Sequence, residues 1–176
     1  ELYGDRLLFD VYRDGKQVGE YRTEFRGRGA DWRVEARMDL EIRWLFWTYS
    51  YRYFAVETWQ QGVLQRLSIE VDHNGDQQRM LFERRGEWLE SDQAEPVRLP
   101  ILPTHHYDAA VVNSTQVLNT LTGRVNEVRV QAMGIEPWLV AGKTVPAQHY
   151  QYQGDLEQTS VWYDLLGRWV GLRFTD

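Results

Sequence analysis

The chain has 176 residues, a formal charge of −6, and is 43% hydrophobic and 26% charged, which fits one globular domain and is too apolar for disorder. No apolar run approaches the roughly 20 residues of a membrane helix, so a helical membrane protein is excluded. Cysteine is absent, which removes disulfides, thiol nucleophiles and thiolate zinc sites but leaves the compartment open.

Eight Trp, ten Tyr and six Phe favour strands and broad apolar surfaces over helical packing. Along the chain, Asp14-Gly15 reads as a hairpin tip, because a two-residue type I′ turn needs positive φ at both central positions. From Asp31 to Trp44 the period is two. One face carries Trp32, Val34, Ala36, Met38, Leu40, Ile42 and Trp44; the other carries only charges, from Asp31 to Arg43. Such alternation predicts a long strand with one wet face and one apolar face. A one-residue slip would bury every charge, so the register is pinned.

The next run, Trp47-Thr48-Tyr49-Ser50-Tyr51-Arg52-Tyr53-Phe54, puts Trp47, Tyr49, Tyr51 and Tyr53 on one strand face. These four either line a cavity or pack as core. Weaker alternation follows from Val63 to Val71, and Asn74-Gly75 is a second hairpin tip. From Glu90 to Thr115 the strand period is lost and Pro96, Pro100 and Pro103 appear, so this is a long Pro-rich loop with at most one short helix, beginning at Asp108. Long loops in compact domains tend to be functional. Asn113 to Gly123 reads as a strand and turn or as a capped helix, with the hairpin preferred. Alternation returns from Val125 to Ala132, Leu156 to Trp162 and Arg168 to Phe174. The whole predicts a mainly β chain over residues 1–176, an antiparallel up-and-down meander of about ten strands forming a closed or partly open barrel. Such a barrel is wide enough to hold a small ligand unless side chains fill it.

The densest polar cluster is Thr104-His105-His106-Tyr107-Asp108 in the long loop. His106 with Tyr107 or Asp108 offers a general base and its partner; equally, the histidines pack or cap the loop. Adjacent imidazoles in an extended segment diverge, and only His149 could join them as a distant third ligand, so no metal site is expected. No phosphate, dinucleotide, hydrolase or zinc-protease template appears, and no cofactor is expected. The short basic stretch Arg26, Arg28, Arg33 in an acidic chain gives no ground for a nucleic-acid partner.

The hairpin from Phe9 to Glu20, the aromatic run Trp47 to Phe54, the segment Pro103 to Tyr107 and the ending Trp162-Tyr163-Asp164 with Gly167-Arg168-Trp169-Val170 together resemble a bacterial exported β-rich domain family of unknown function. The resemblance spans most of the chain and implies a periplasmic or secreted location, consistent with a start at Glu1 without a basic and apolar leader. It supplies no reaction. The function expected is a non-enzymatic carrier for an apolar or amphipathic small molecule, a lipid or fatty acyl group. Its ligand would lie against Trp47, Tyr49, Tyr51, Tyr53, His105 and His106. The rivals are an enzyme using His106 as base, an outer-membrane barrel and a structural interaction protein; oligomeric state is left open.

Overall fold

A computed structural model describes residues 3–43 and 45–175; Trp44, expected on the apolar face of the long strand, lies outside them. The chain divides into two compact units, Tyr3–Pro100 and the residues from Ile101 onward, each built on its own sheet.

The first sheet takes its strands in sequence order: β1 (Arg6–Arg13), β2 (Lys16–Arg28), β3 (Asp31–Arg43), β4 (Thr48–Gln60), β5 (Val63–His73), β6 (Asp76–Arg85), β7 (Trp88–Glu90) and β8 (Val97–Arg98). All neighbours are antiparallel. Turns with positive φ at both central residues close three of the hairpins, Asp14-Gly15, Gln61-Gly62 and Asn74-Gly75, because this backbone hand matches the twist of the strands it joins. In antiparallel pairs, directly opposed residues share a face. Val34 lies opposite Phe25 and Glu57, Ala55 opposite Ala36 and Ile69, and Leu67 opposite Phe82. Val34, Ala36, Tyr53, Ala55, Leu67, Ile69 and Phe82 are buried on that face. The alternation read in β3 holds, yet burial is complete only at Val34 and Ala36; Trp32, Met38, Leu40 and Ile42 are half-buried. The opposite face carries partly exposed ion pairs such as Arg22–Glu24, Arg33–Glu35 and Arg66–Glu83, each worth little in high dielectric.

The second sheet contains β9 (Leu102–Pro103), β10 (Gln116–Asn119), β11 (Arg124–Val140), β12 (Lys143–Gly154), β13 (Thr159–Asp164) and β14 (Trp169–Phe174), in the order β14-β13-β12-β11-β10-β9. β9 pairs β10 in parallel, and the other neighbours are antiparallel. A 3₁₀ turn, Ala109–Asn113, lies between β9 and β10. Asn113 to Gly123 thus forms the preferred strand and turn, β10 followed by the turn into β11.

The expected barrel of about ten strands does not form. Among the described residues there are fourteen strands in two open sheets, and the sheet orders end at β1 and β8 and at β14 and β9. The reason lies in the supposed loop. Prolines 96, 100 and 103 withhold backbone donors where a meander would have to continue, so the first ladder stops at β8. The chain then starts a new sheet with a parallel pair, which no up-and-down meander contains. The short strands β8, β9 and the 3₁₀ turn also fill a segment that lacks any strand period in sequence.

Candidate functional site

The aromatic run opens gradually along β4. Tyr53, Tyr51 and Tyr49 lie opposite Met38, Leu40 and Ile42 of β3, and Tyr53 and Tyr51 lie opposite Val71 and His73 of β5. Tyr53 is 2% exposed, Tyr51 and Tyr49 are half-buried, and Trp47 is 54% exposed. His73, at the Asn74-Gly75 tip, meets the Tyr49 ring edge-on at 5.2 Å and lies 6.3 Å from the Tyr51 ring. Burial, with a smaller contribution from Tyr49, raises the Tyr51 phenol pKa above its ordinary value. The stripe is therefore core at one end and accessible apolar surface at the other. Arg52, on the opposite face, is exposed between Asp39 and Asp72.

One residue of this face was missed by the sequence reading. Glu57 continues the parity of Tyr49, Tyr51 and Tyr53 and is fully buried. The Trp59 indole donates to its Oε2 at 2.6 Å. Thr23, also fully buried, and Tyr21 share the face on β2. Burial pushes the Tyr21 phenol well above its ordinary value, and the Glu57 charge adds to the shift. The signal was available: Glu57 is the one charged residue at an odd position from Trp47 to Trp59.

The histidine cluster belongs to the second unit. His105 and His106 are 3% and 6% exposed, so both are enclosed, whereas an extended strand would have turned one outward. The backbone shows why. His106 adopts φ +61° and the Tyr107 amide donates to the His105 carbonyl at 2.9 Å, so the chain reverses at His106. The Tyr163 hydroxyl then donates to the His106 carbonyl at 2.8 Å. The His106 ring packs edge-on against Tyr152 and tilted against Trp169, both centroids 5.8 Å away, and Nδ1 lies 3.5 Å from the Tyr152 hydroxyl. Burial first, and the neighbouring His105 second, push the His106 pKa down to about 3. Burial also raises the Tyr152 phenol. At neutral pH the pair is therefore an uncharged imidazole beside an uncharged phenol. Tyr107 is buried, and Asp108 accepts from the Ala110 amide at 2.9 Å as N-cap of the 3₁₀ turn. The short helix begins where the sequence reading placed it.

His149 stands apart from that pair. It stacks on Trp162 at 4.4 Å, and Trp138 also stacks on Trp162, at 4.1 Å. The Trp162 indole donates to Glu136 Oε1, which lies 3.6 Å from His149 Nδ1. Trp138 reaches this place because β11 shifts register between Ala132 and Gly134, and its indole donates to the Val170 carbonyl at 2.8 Å. Among the described residues no three His, Cys, Asp or Glu side chains group as a metal would require.

Two shallow recesses mark the charged side of the first sheet. One is lined by Arg22, Glu24, Glu35, Arg37 and Phe54, the other chiefly by Arg52, Phe54, Glu70, Asp72 and Arg79. Neither is lined by Trp47, Tyr49, Tyr51 or His106. The aromatic stripe thus lies in the first unit, His105 to Asp108 in the second.

Residues 9–176 match the family described as a domain of unknown function (DUF6134), and the chain belongs to that family. No curated protein and no solved structure matches it.

Proposed function

We propose, starting from a family membership that fixes no reaction, that this protein is a non-enzymatic carrier for an apolar or amphipathic small molecule such as a lipid or fatty acyl group. The observation that supports the reading is the half-open apolar end of the first sheet. Leu40, Ile42, Tyr49 and Tyr51 continue a face that is closed at Val34, Ala36, Tyr53 and Ala55, yet they remain only half-buried. A side chain left at this stage of burial has apolar area to gain from a ligand. The phenol tips of Tyr49 and Tyr51 supply polar handles beside it.

Catalysis by His106 is the rival reading, and it draws on the 3.5 Å approach to Tyr152. Two features weigh against it. The His106 ring is enclosed and burial makes it a poor proton acceptor, and the Asp108 carboxylate is engaged by the 3₁₀ turn. A periplasmic or secreted location goes with the carrier reading and would be checked by fractionating the full-length protein.

The test is displacement of a fluorescent fatty-acid probe across a series of chain lengths. Affinity should rise with length, since each buried methylene gains about 0.8 kcal/mol before ordering costs. Tyr51→Ala should weaken binding, and His106→Asn should matter less. Failure of every chain length to bind saturably would end the carrier reading and put the interaction-protein reading in front.

A further inference from the structure

The first sheet carries an exposed apolar point at one end. In the connection between β3 and β4, Leu45 and Phe46 are 93% and 95% exposed and Trp47 is 54% exposed. In sequence they belong to Trp44-Leu45-Phe46-Trp47, four large apolar residues in a row. The sheet's other hairpin turns include Asp14-Gly15, Gln61-Gly62 and Asn74-Gly75. Those polar and glycine residues are what turn geometry asks for. Turn geometry gives no reason for Leu and Phe here, and their exposure to water is unfavourable.

Register shows what surrounds the point. Gly19 lies opposite Leu40 and Tyr51 opposite His73. The turns after Arg13 and after His73 therefore sit at the same end of the sheet as Leu45 to Trp47. The three tips, residues 13–16, 43–47 and 73–76, carry Arg13, Lys16 and Arg43 against Asp14 and Asp76, in a chain whose total charge is −6. Arg43 is ion-paired with Glu41. This end is thus close to neutral locally, and the chain's acidity does not hold it off a lipid surface. The point is also continuous with the face described above: Arg43 pairs with Thr48, and the next inward apolar residues are Ile42, Tyr49, Leu40 and Tyr51.

We infer that the Leu45-Phe46-Trp47 tip docks this protein on a phospholipid bilayer, Leu45 and Phe46 entering the acyl boundary and Trp47 resting at the headgroup level. The inference rests on the carrier reading and deepens it, because it names a membrane as the place where the ligand is exchanged. Several features distinguish a bilayer from a protein groove as the occupant. The apolar surface is a short connection whose Leu45 and Phe46 are almost wholly exposed. Its composition is Leu and Phe beside Trp, the residues that partition into the acyl boundary and the interface. A fluid phase accepts such a point without a matching cavity. A molecule leaving the bilayer along it meets Ile42 and Tyr49 first.

The experiment is co-sedimentation of the full chain with vesicles of phosphatidylcholine, and of phosphatidylcholine mixed with phosphatidylglycerol. Wild type is compared with the double variant Leu45→Ser/Phe46→Ser and with Leu166→Ser, which removes another exposed leucine from a turn of the other unit. Wild type and Leu166→Ser should pellet with both vesicles. The double variant should partition at least ~10-fold more weakly, because two buried apolar side chains are lost. Raising the salt should not release wild type, since the attraction is apolar. Its urea midpoint should match wild type, as both side chains are exposed, and it should still bind the soluble fatty-acid probe. A double variant that pellets like wild type, or a wild type that pellets with neither vesicle, overturns the docking inference and would turn attention to a protein partner. Tip-dependent pelleting without probe binding would keep the docking site and remove the carrier reading instead.

Discussion

His106 makes the stability of this protein depend on acidity in a way that one substitution isolates. An unfolded histidine takes up a proton near pH 6.5, whereas the folded imidazole does so only at about 3. Because the folded value is depressed, the unfolded chain binds more protons between these limits, and stability falls as pH drops through that window. At pH 7 the contribution is near its full value; at pH 5 the unfolded state has gained about 2 kcal/mol relative to the folded one. By pH 4 the loss grows to about 3 kcal/mol. It levels off only near the folded value. The perturbation is His106→Asn, which removes the titrating ring and keeps a residue that tolerates the positive φ at this position. The variant will be less stable at pH 7, since packing against Tyr152 and Trp169 is lost. The informative quantity is the slope. Urea unfolding of both proteins at pH 7 and pH 5 should show wild type losing about 2 kcal/mol more than the variant. The other histidines cancel in the difference to first order. Parallel profiles would mean that the imidazole is solvated or charged in the folded protein, and the account of the loop as a closed, neutral packing would be wrong.

Two further outcomes test the packing. A Cβ on Gly171 would come within 2.3 Å of the Trp138 ring, so Gly171→Ala should unseat that indole from Trp162 and cost about 1 to 3 kcal/mol. Near-ultraviolet circular dichroism should lose its stacked-tryptophan signal, and an unchanged spectrum would refute this seating of the β11 arm. In the first sheet, Leu67→Ala, at a fully buried site, should cost about 2 to 5 kcal/mol. Glu41→Ala, on the exposed face of β3, should stay within about 0.5 kcal/mol. Equal losses in denaturant melts would contradict the assigned faces.

Much of the local structure follows from short-range rules that the residues obey by themselves. The alternation from Asp31 onward gives β3 and its two faces, because the period of a strand is independent of its partner. Asp14-Gly15 and Asn74-Gly75 set two hairpin tips through the φ values they tolerate. Asp108 begins the 3₁₀ turn because its carboxylate reaches a free amide two residues on. The same rules could have exposed Glu57 as a carboxylate on an apolar face, had parity been followed past Phe54.

Other features depend on which segments meet across long stretches of chain. Alternation is the same in a barrel and in two open sheets, so the division after Pro100 and the parallel pairing of β9 with β10 were decided by long-range pairing. His105 and His106 looked like residues on opposite sides of an extended loop. A chain reversal at His106 and the hydroxyl of Tyr163, 57 positions away, bring both inside. Trp138 and Gly171 show no relation in sequence, yet the bulge in β11 lays one on the other. Sequence by itself determined the long alternating strands such as β3, their two faces and several of the turns, because those depend on neighbours within a few residues. Tertiary structure alone decided how the strands divide between sheets and which polar groups are enclosed, because burial is set by everything that packs against a residue, however distant in the chain.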